Sequence, residues 1–173
     1  MKPQLITALV GVLALSVLAG AFAIQPEESA PPFKLADQFG KTWDLSELKG
    51  TVVVLVAANA DSGRKMGPWV DKLKKDYPNN AELLGLMDLH DLPGIVRGIA
   101  KARIRKETKD PLMLDFNGST AKAYSVSDKH PVVVVIDRKG LVRSVKRTDY
   151  TATAYKATAA AIDAALESKN GNK

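Results

Sequence analysis

The stretch TVVVLVAANADSGRK, residues 51–65, runs from five consecutive aliphatic residues into a loop of small and polar ones. A short run with no polar face predicts a central strand covered on both sides, the usual setting of a parallel sheet. The loop is followed at 66–77 by Trp69, Val70, Leu73 and Tyr77 at helical spacing, with lysines on the other side. In α/β proteins such strand-to-helix junctions often carry the chemistry. This one holds no cysteine, no histidine and no glycine-rich phosphate cradle. Asp61 and Ser62 read as caps of the helix that follows, and Arg64 and Lys65 as solvated loop charges.

Outward from the junction the pattern alternates. Upstream, Phe33, Leu35, Trp43, Leu45 and Leu48 flank the turn DQFG at 37–40, which predicts a short hairpin and a helical turn. Downstream, the apolar runs at 83–89, 112–114 and 132–136 predict strands, and the turn RKG at 138–140 leads the last of them into a hairpin partner at 141–145. Helices are predicted at 95–106, as a single turn at 121–124, and at 154–166. The order describes an α/β sandwich around a mixed sheet with an N-terminal β extension.

The chain has 173 residues, 46% hydrophobic and 25% charged, as expected of one folded domain. Its net charge of +6 does not by itself indicate nucleic-acid binding. Cysteine is absent, which excludes disulfides, thiolate metal sites and every thiol redox step. Residues 1–23 have the pattern of a signal peptide: Lys2, an apolar stretch, then Ala21-Phe22-Ala23 as a cleavage site. The same stretch is long enough to serve as an uncleaved anchor. Either way the folded part is expected outside the cytoplasmic membrane, periplasmic or secreted. Residues 24–32 read as a Pro-rich linker, 33–168 as the domain and 169–173 as a disordered tail.

Four segments resemble redoxin domains. APPFKLADQFGKTWDLSELKG at 30–50 is similar to their opening, and the strand VVVLV to the one entering their active-site loop. MLDFNGSTAKAYSV at 113–126 and HPVVVVIDRKG at 130–140 resemble two later elements, in the expected order. The resemblance implies a thioredoxin-like α/β/α sandwich of the AhpC/TSA and TlpA-like kind. It further implies that Pro131 matches the cis-proline beside the active-site loop. Family members place Cys-x-x-Cys, or a lone cysteine, where this chain has Asn59-Ala60-Asp61-Ser62-Gly63-Arg64-Lys65. The nearest likeness is to exported, cysteine-less redoxin-like proteins of the YtfJ type. The resemblance therefore implies a fold and withholds an activity.

Ser62 lies near the position of the family's nucleophile, and hydrolytic use of it would require a histidine held by a carboxylate. His90 and His130 are the two histidines, and on this fold both could face the loop. Asp88, His90 and Asp91 with His130 also form a weak candidate metal set, although their spacing matches no strong metal signature. The more economical reading makes Asp91 a helix cap and His90 an exposed loop residue. Between Arg97 and Lys109 six basic residues stand against one acid, a solvated helix face or a surface for anionic lipid or an acidic partner. Nucleic acid is not expected outside the cytoplasm, and the aromatic interleaving of single-strand binders is missing.

Three functions remain open: a non-catalytic envelope module, an enzyme with non-thiol chemistry, and an anchored structural component. For the first, the ligand or partner residues are Asp61, Ser62, Arg64, His130 and Pro131, the partner is an envelope protein or peptide, and no cofactor is expected. For the second, Asp88, His90 and His130 would carry the chemistry.

Overall fold

The computed structural model describes residues 23–168. The readings of a leader and of a C-terminal tail lie outside the described residues, Ala23 apart. Five strands form the main sheet in the order β5-β4-β3-β6-β7. They are β3 (Val53–Asn59), β4 (Glu82–Asp88), β5 (Leu112–Asp115), β6 (Val132–Ile136) and β7 (Val142–Arg147). β3 runs parallel to β4, as β4 does to β5, whereas β6 is antiparallel to both β3 and β7. This is the mixed sheet the sequence predicts, although β3 continues three residues past Val56.

β3 shows why two layers are required. Successive side chains of a strand point to opposite faces. Val53, Leu55 and Ala57 enter one apolar cluster, while Val54, Val56 and Ala58 enter the other. All six are essentially inaccessible to solvent. The second face is covered by α1 (Gly67–Asp76) through Trp69 and Leu73, and by α4 (Ala152–Glu167) through Tyr155 and Ile162. Trp69 is fully buried, donates its indole N–H to Thr148 O at 3.2 Å and meets the ring of Tyr150 edge-on at 5.5 Å.

The first face is covered by the N-terminal segment. Ile24, Ala30, Phe33 and Trp43 pack there with Tyr124, which follows α3 (Ser119–Ala123). Phe33 immediately precedes the hairpin of β1 (Lys34–Ala36) and β2 (Thr42–Asp44), and Trp43 lies within β2. Residues 24–32 are thus no free connector, contrary to the expectation from their composition. Their backbone pairs with the start of β7, with Glu27 N to Val142 O at 2.7 Å and Val142 N to Glu28 O at 2.9 Å. Ile24 is 5% exposed. A polar, Pro-rich stretch is tied down because the outer edge of β7 offers unpaired backbone groups and the sheet face beneath offers apolar surface.

Two hairpin turns are built alike. In 37–40 the carboxylate of Asp37 accepts the amides of Phe39 and Lys41 and the indole N–H of Trp43. In 137–140 that of Asp137 accepts the amides of Lys139 and Leu141 and the guanidinium of Arg143. Each turn closes on a glycine with positive φ, Gly40 at 94° and Gly140 at 84°, where a Cβ would be strained. A shift of register at Val135 and Ile136 leaves Arg143 opposite no residue of β6, and the bulge turns its side chain toward Asp137 and Glu27. The opposite sheet edge is closed by Gln38, fully buried, whose amide accepts from Leu112 N at 2.9 Å and donates to Asp110 O at 2.7 Å.

α2 (Gly94–Glu107) is the exception to this packing, for it has no buried residue. Arg97 lies over the Phe116 ring at 5.2 Å and Arg105 over the Phe39 ring at 5.6 Å. Cation–π contacts therefore take part in holding it to the body.

If residues 24–32 belong to the folded unit, Ile24→Ala must destabilise it by about 2 kcal/mol or more, as for other buried aliphatic truncations. Urea unfolding of the two chains measures this. A loss within about 0.5 kcal/mol, the usual range for exposed positions, would restore the linker reading.

Candidate functional site

The C-terminal end of β3 delivers the chain into the loop 59–65. Asn59 organises it: its side-chain oxygen accepts the amides of Asp61 at 3.1 Å and Ser62 at 3.0 Å. This is the short-range hydrogen bonding by which Asn favours turns. Ser62 then turns inward and is completely buried. Its hydroxyl lies 2.9 Å from the Asn59 side-chain oxygen and 3.0 Å from Ser127 O, and it accepts the Asn59 amide at 3.3 Å. The expectation that Asp61 or Ser62 caps a helix is corrected. Ser62 makes no capping hydrogen bond to the helical turn Gly63–Met66. Burial took the hydroxyl from solvent, and Asn59 with Ser127 supplied its partners.

Lys65 makes a second stitch across the same gap. Its ammonium donates to Lys129 O at 2.6 Å and lies 3.4 Å from the Asp149 carboxylate. Asp149 in turn sits 2.8 Å from Nδ1 of His130. The hydrogen bond from His130, and after it that from Lys65, holds the Asp149 carboxyl below the usual carboxylate range. The loop before β6 is therefore fastened to the loop after β3 at Ser127 and Lys129. His130 is half-buried at this seam and Pro131 is buried. The His130–Pro131 bond is trans, which corrects the cis-proline expectation. Trans is the lower-energy form of an X–Pro bond, and the path of the loop is set here by Ser62 and Lys65.

His90 lies on the other flank. Its Nδ1 is 2.8 Å from Asp88 and its Nε2 is 3.2 Å from Asp91. The hydrogen bond to Asp88, reinforced by the charges of Asp88 and Asp91, raises its pKa above the ordinary imidazole value. Gly118 packs beneath, and a Cβ there would meet the His90 Cβ at 3.0 Å, so the ring's position depends on that glycine. Residues 59–61 and 88–92 line a depression of about 60 Å³, large enough for a few atoms only. Its neighbour Asp115 is buried and fully used, accepting the amides of Asn117, Gly118 and Ala121 at the start of α3.

The sequence-predicted residues thus separate into two groups. Asp88, His90 and Asp91 come together beside Asp61, while His130 joins Asp149 and Lys65 on the opposite flank. Each imidazole Nδ1 faces its own carboxylate, and Ser62 bonds to Asn59 and Ser127 rather than to either ring. Among the described residues no group of three or more histidines and carboxylates could hold a metal ion. Asp61 and Arg64 stand exposed, and Arg64 makes no hydrogen bond or ion pair among the described residues. Sequence reasoning missed Asn59, Ser127 and Asp149. The Asn59-x-x-Ser62 spacing was a readable turn signal, whereas Asp149 approaches from 19 residues beyond His130 with no local mark.

Residues 26–145 match the AhpC/TSA family. No curated protein matches the chain. Among solved structures it is similar to a candidate thiol:disulfide interchange protein, DsbE, from Chlorobium tepidum, with 23% identity over 83% of this chain and 99% of that one and a TM-score of 0.65. A candidate protein disulfide isomerase from Bacteroides thetaiotaomicron shares 25% identity over 83% of this chain and 91% of its own, with a TM-score of 0.64. The exposed lipoprotein thioredoxin Etrx1 of Streptococcus pneumoniae shares 20% over 78% and 99%, with a TM-score of 0.61. These likenesses carry the thioredoxin-like fold.

Two predictions follow from the seam and its flank. Ser62→Ala leaves Ser127 O and the Asn59 amide without their hydroxyl partner and is expected to cost about 1–3 kcal/mol, read by urea unfolding; a neutral result would show the hydroxyl is not structural. In NMR titration the His90 ring should change charge above pH 6.5, and Asp88→Asn should bring that midpoint down. Its charged form contributes stability that is complete below the unfolded pKa and is lost as pH rises through the raised folded one. An unshifted midpoint in the parent chain would contradict the pairing.

Proposed function

Since this chain belongs to the AhpC/TSA family and contains no cysteine, we propose that it serves as a non-catalytic accessory module of the cell envelope, a redoxin scaffold that docks a protein or peptide partner. The observation that carries this reading is the double stitch at the loop 59–65. Ser62 and Lys65 spend the carbonyls of Ser127 and Lys129 at the place where the family resemblance puts reactive sulfur.

A serine alcohol cannot shuttle between thiol and disulfide states, so Ser62 cannot replace the missing redox step. Nor does it have a base: its partners are an amide oxygen and a backbone carbonyl, neither of which takes a proton at neutral pH. What the loop still presents to solvent is a charged rim. Asp61, Arg64 and the half-exposed pair His130–Asp149 are the groups a partner would meet. Charged rims of this kind favour specificity and encounter rate over raw affinity. With Ser127 O and Lys129 O already bonded to Ser62 and Lys65, a partner is expected to engage side chains rather than those carbonyls.

Export rests on the Lys2 and Ala21-Phe22-Ala23 leader pattern. The cysteine-less, exported redoxins of the YtfJ type are the group in which the chain would then fall. Among the described residues no helix is long and apolar enough to cross a membrane.

The test has two arms. Disulfide reduction and peroxide consumption should both run at the buffer rate with protein freed of contaminating thiol enzymes; sustained turnover would overturn the non-catalytic reading. A photo-crosslinking side chain at position 64 in the envelope should trap one defined partner that the same group at position 156 does not. Equal labelling from both positions would remove the loop as the docking site.

A further inference from the structure

α2 is an unusual surface element. Ile95 is 89% exposed and Ile99 71%, one turn apart on the same face. Ala102 and Lys106 continue that stripe at helical spacing. Arg103, which pairs with Glu107 at 2.7 Å, flanks it on one side, and Lys101 and Arg105 on the other. The inner face, by contrast, is carried by Val96, Arg97, Ala100 and Ile104, all half-buried. Six cations and one acid between Arg97 and Lys109 account for nearly all of the chain's net charge of +6. Lys101, Arg105, Lys106 and Lys109 line an open groove of about 480 Å³ whose lining includes no acid.

We infer that α2 is an interfacial helix that lays Ile95 and Ile99 into an anionic lipid bilayer while Lys101, Arg103 and Lys106 contact the headgroups. The arrangement has the three requirements of such a helix: an exposed apolar stripe, cations along both margins, and long basic side chains that reach sideways to the polar layer. The isoleucines stand almost wholly clear of the body, which suits insertion between lipids. A second copy of the chain is disfavoured, because facing α2 helices would set their cations against one another. The attachment of α2 leaves this face free, since Arg97 and Arg105 lie over Phe116 and Phe39 of the body. This inference is independent of partner docking at the loop 59–65.

The absence of cysteine gives a direct test with the full chain. Gly98 borders the stripe, and a Cβ there meets nothing within 4 Å, so Gly98→Cys accepts an environment-sensitive fluorophore without disturbing the fold. Vesicles of phosphatidylglycerol and phosphatidylcholine should shift its emission to the blue; phosphatidylcholine alone should not, and high salt should reverse the shift. The same label at Lys156→Cys on α4 should stay unchanged, which separates α2 insertion from tethering by the apolar residues near Met1. In the Gly98→Cys background, Ile95→Asp with Ile99→Asp should weaken vesicle binding read by the label at least tenfold, with circular dichroism unaltered. No shift on anionic vesicles, an equal shift on neutral ones, or a shift at both labels overturns the inference. So does binding to soluble polyglutamate or DNA without any shift on vesicles, which would indicate an acidic macromolecular partner instead.

Discussion

Burial of β3 on both faces is the constraint from which the rest of the architecture follows. Six successive side chains from Val53 to Ala58 are removed from water, and at roughly 1.5–3 kcal/mol for each large aliphatic group this is a dominant local contribution. Such a strand cannot sit at a surface. One face is met by α1 and α4, which pack Trp69, Leu73 and Ile162 beneath it. Of the later helices the other has only the short α3, since α2 places no side chain in either apolar cluster. The N-terminal segment is therefore drawn in to complete the layer, with Ile24, Phe33 and Trp43 as its apolar contacts.

That same segment closes both edges of the sheet. Its first part pairs with β7 near Leu141 and Val142, and Asp37 bridges to Met113 on β5 while Gln38 holds the amide of Leu112. Free strand edges invite pairing with other chains, and here a single stretch of about fifteen residues blunts both. The two Asp-x-x-Gly turns support this arrangement, because each buried carboxylate organises its own hairpin and fixes a side chain of its second strand, Trp43 or Arg143. Among the described residues every buried side-chain nitrogen or oxygen has a partner, which is the condition for placing so many polar groups inside.

The sheet and its helices were legible from the residues because apolar runs such as VVVLV and VVVVI have only one economical setting. Boundaries moved by one to three residues, most at the end of β3, where Ala57, Ala58 and Asn59 carry no strong strand signal. The docking of residues 24–32 was not legible, since proline and glutamate there describe solubility and say nothing about the edge that waits for them. Half of the loop was legible as well. Position and missing sulfur could be read, but the inward turn of Ser62 and the approach of Asp149 depend on tertiary placement. Pro131 misled for a related reason: the family resemblance supplied an isomer that the loop, held instead by Ser62 and Lys65, does not adopt.

A redoxin scaffold without thiols is free to tie down the loop that an enzyme must leave open. The central claim is that the seam between residues 59–65 and 127–130 is a rigid structural joint. Native-state hydrogen exchange at the amides of Ser62 and Lys65 tests it most directly, because the first donates to the Asn59 side chain and the second to Ser62 O. A rigid joint predicts that both exchange with an opening free energy close to that of global unfolding. Rapid exchange of these amides, with β3 and β6 still protected, would contradict the account and return the loop to the class of mobile, chemically available sites.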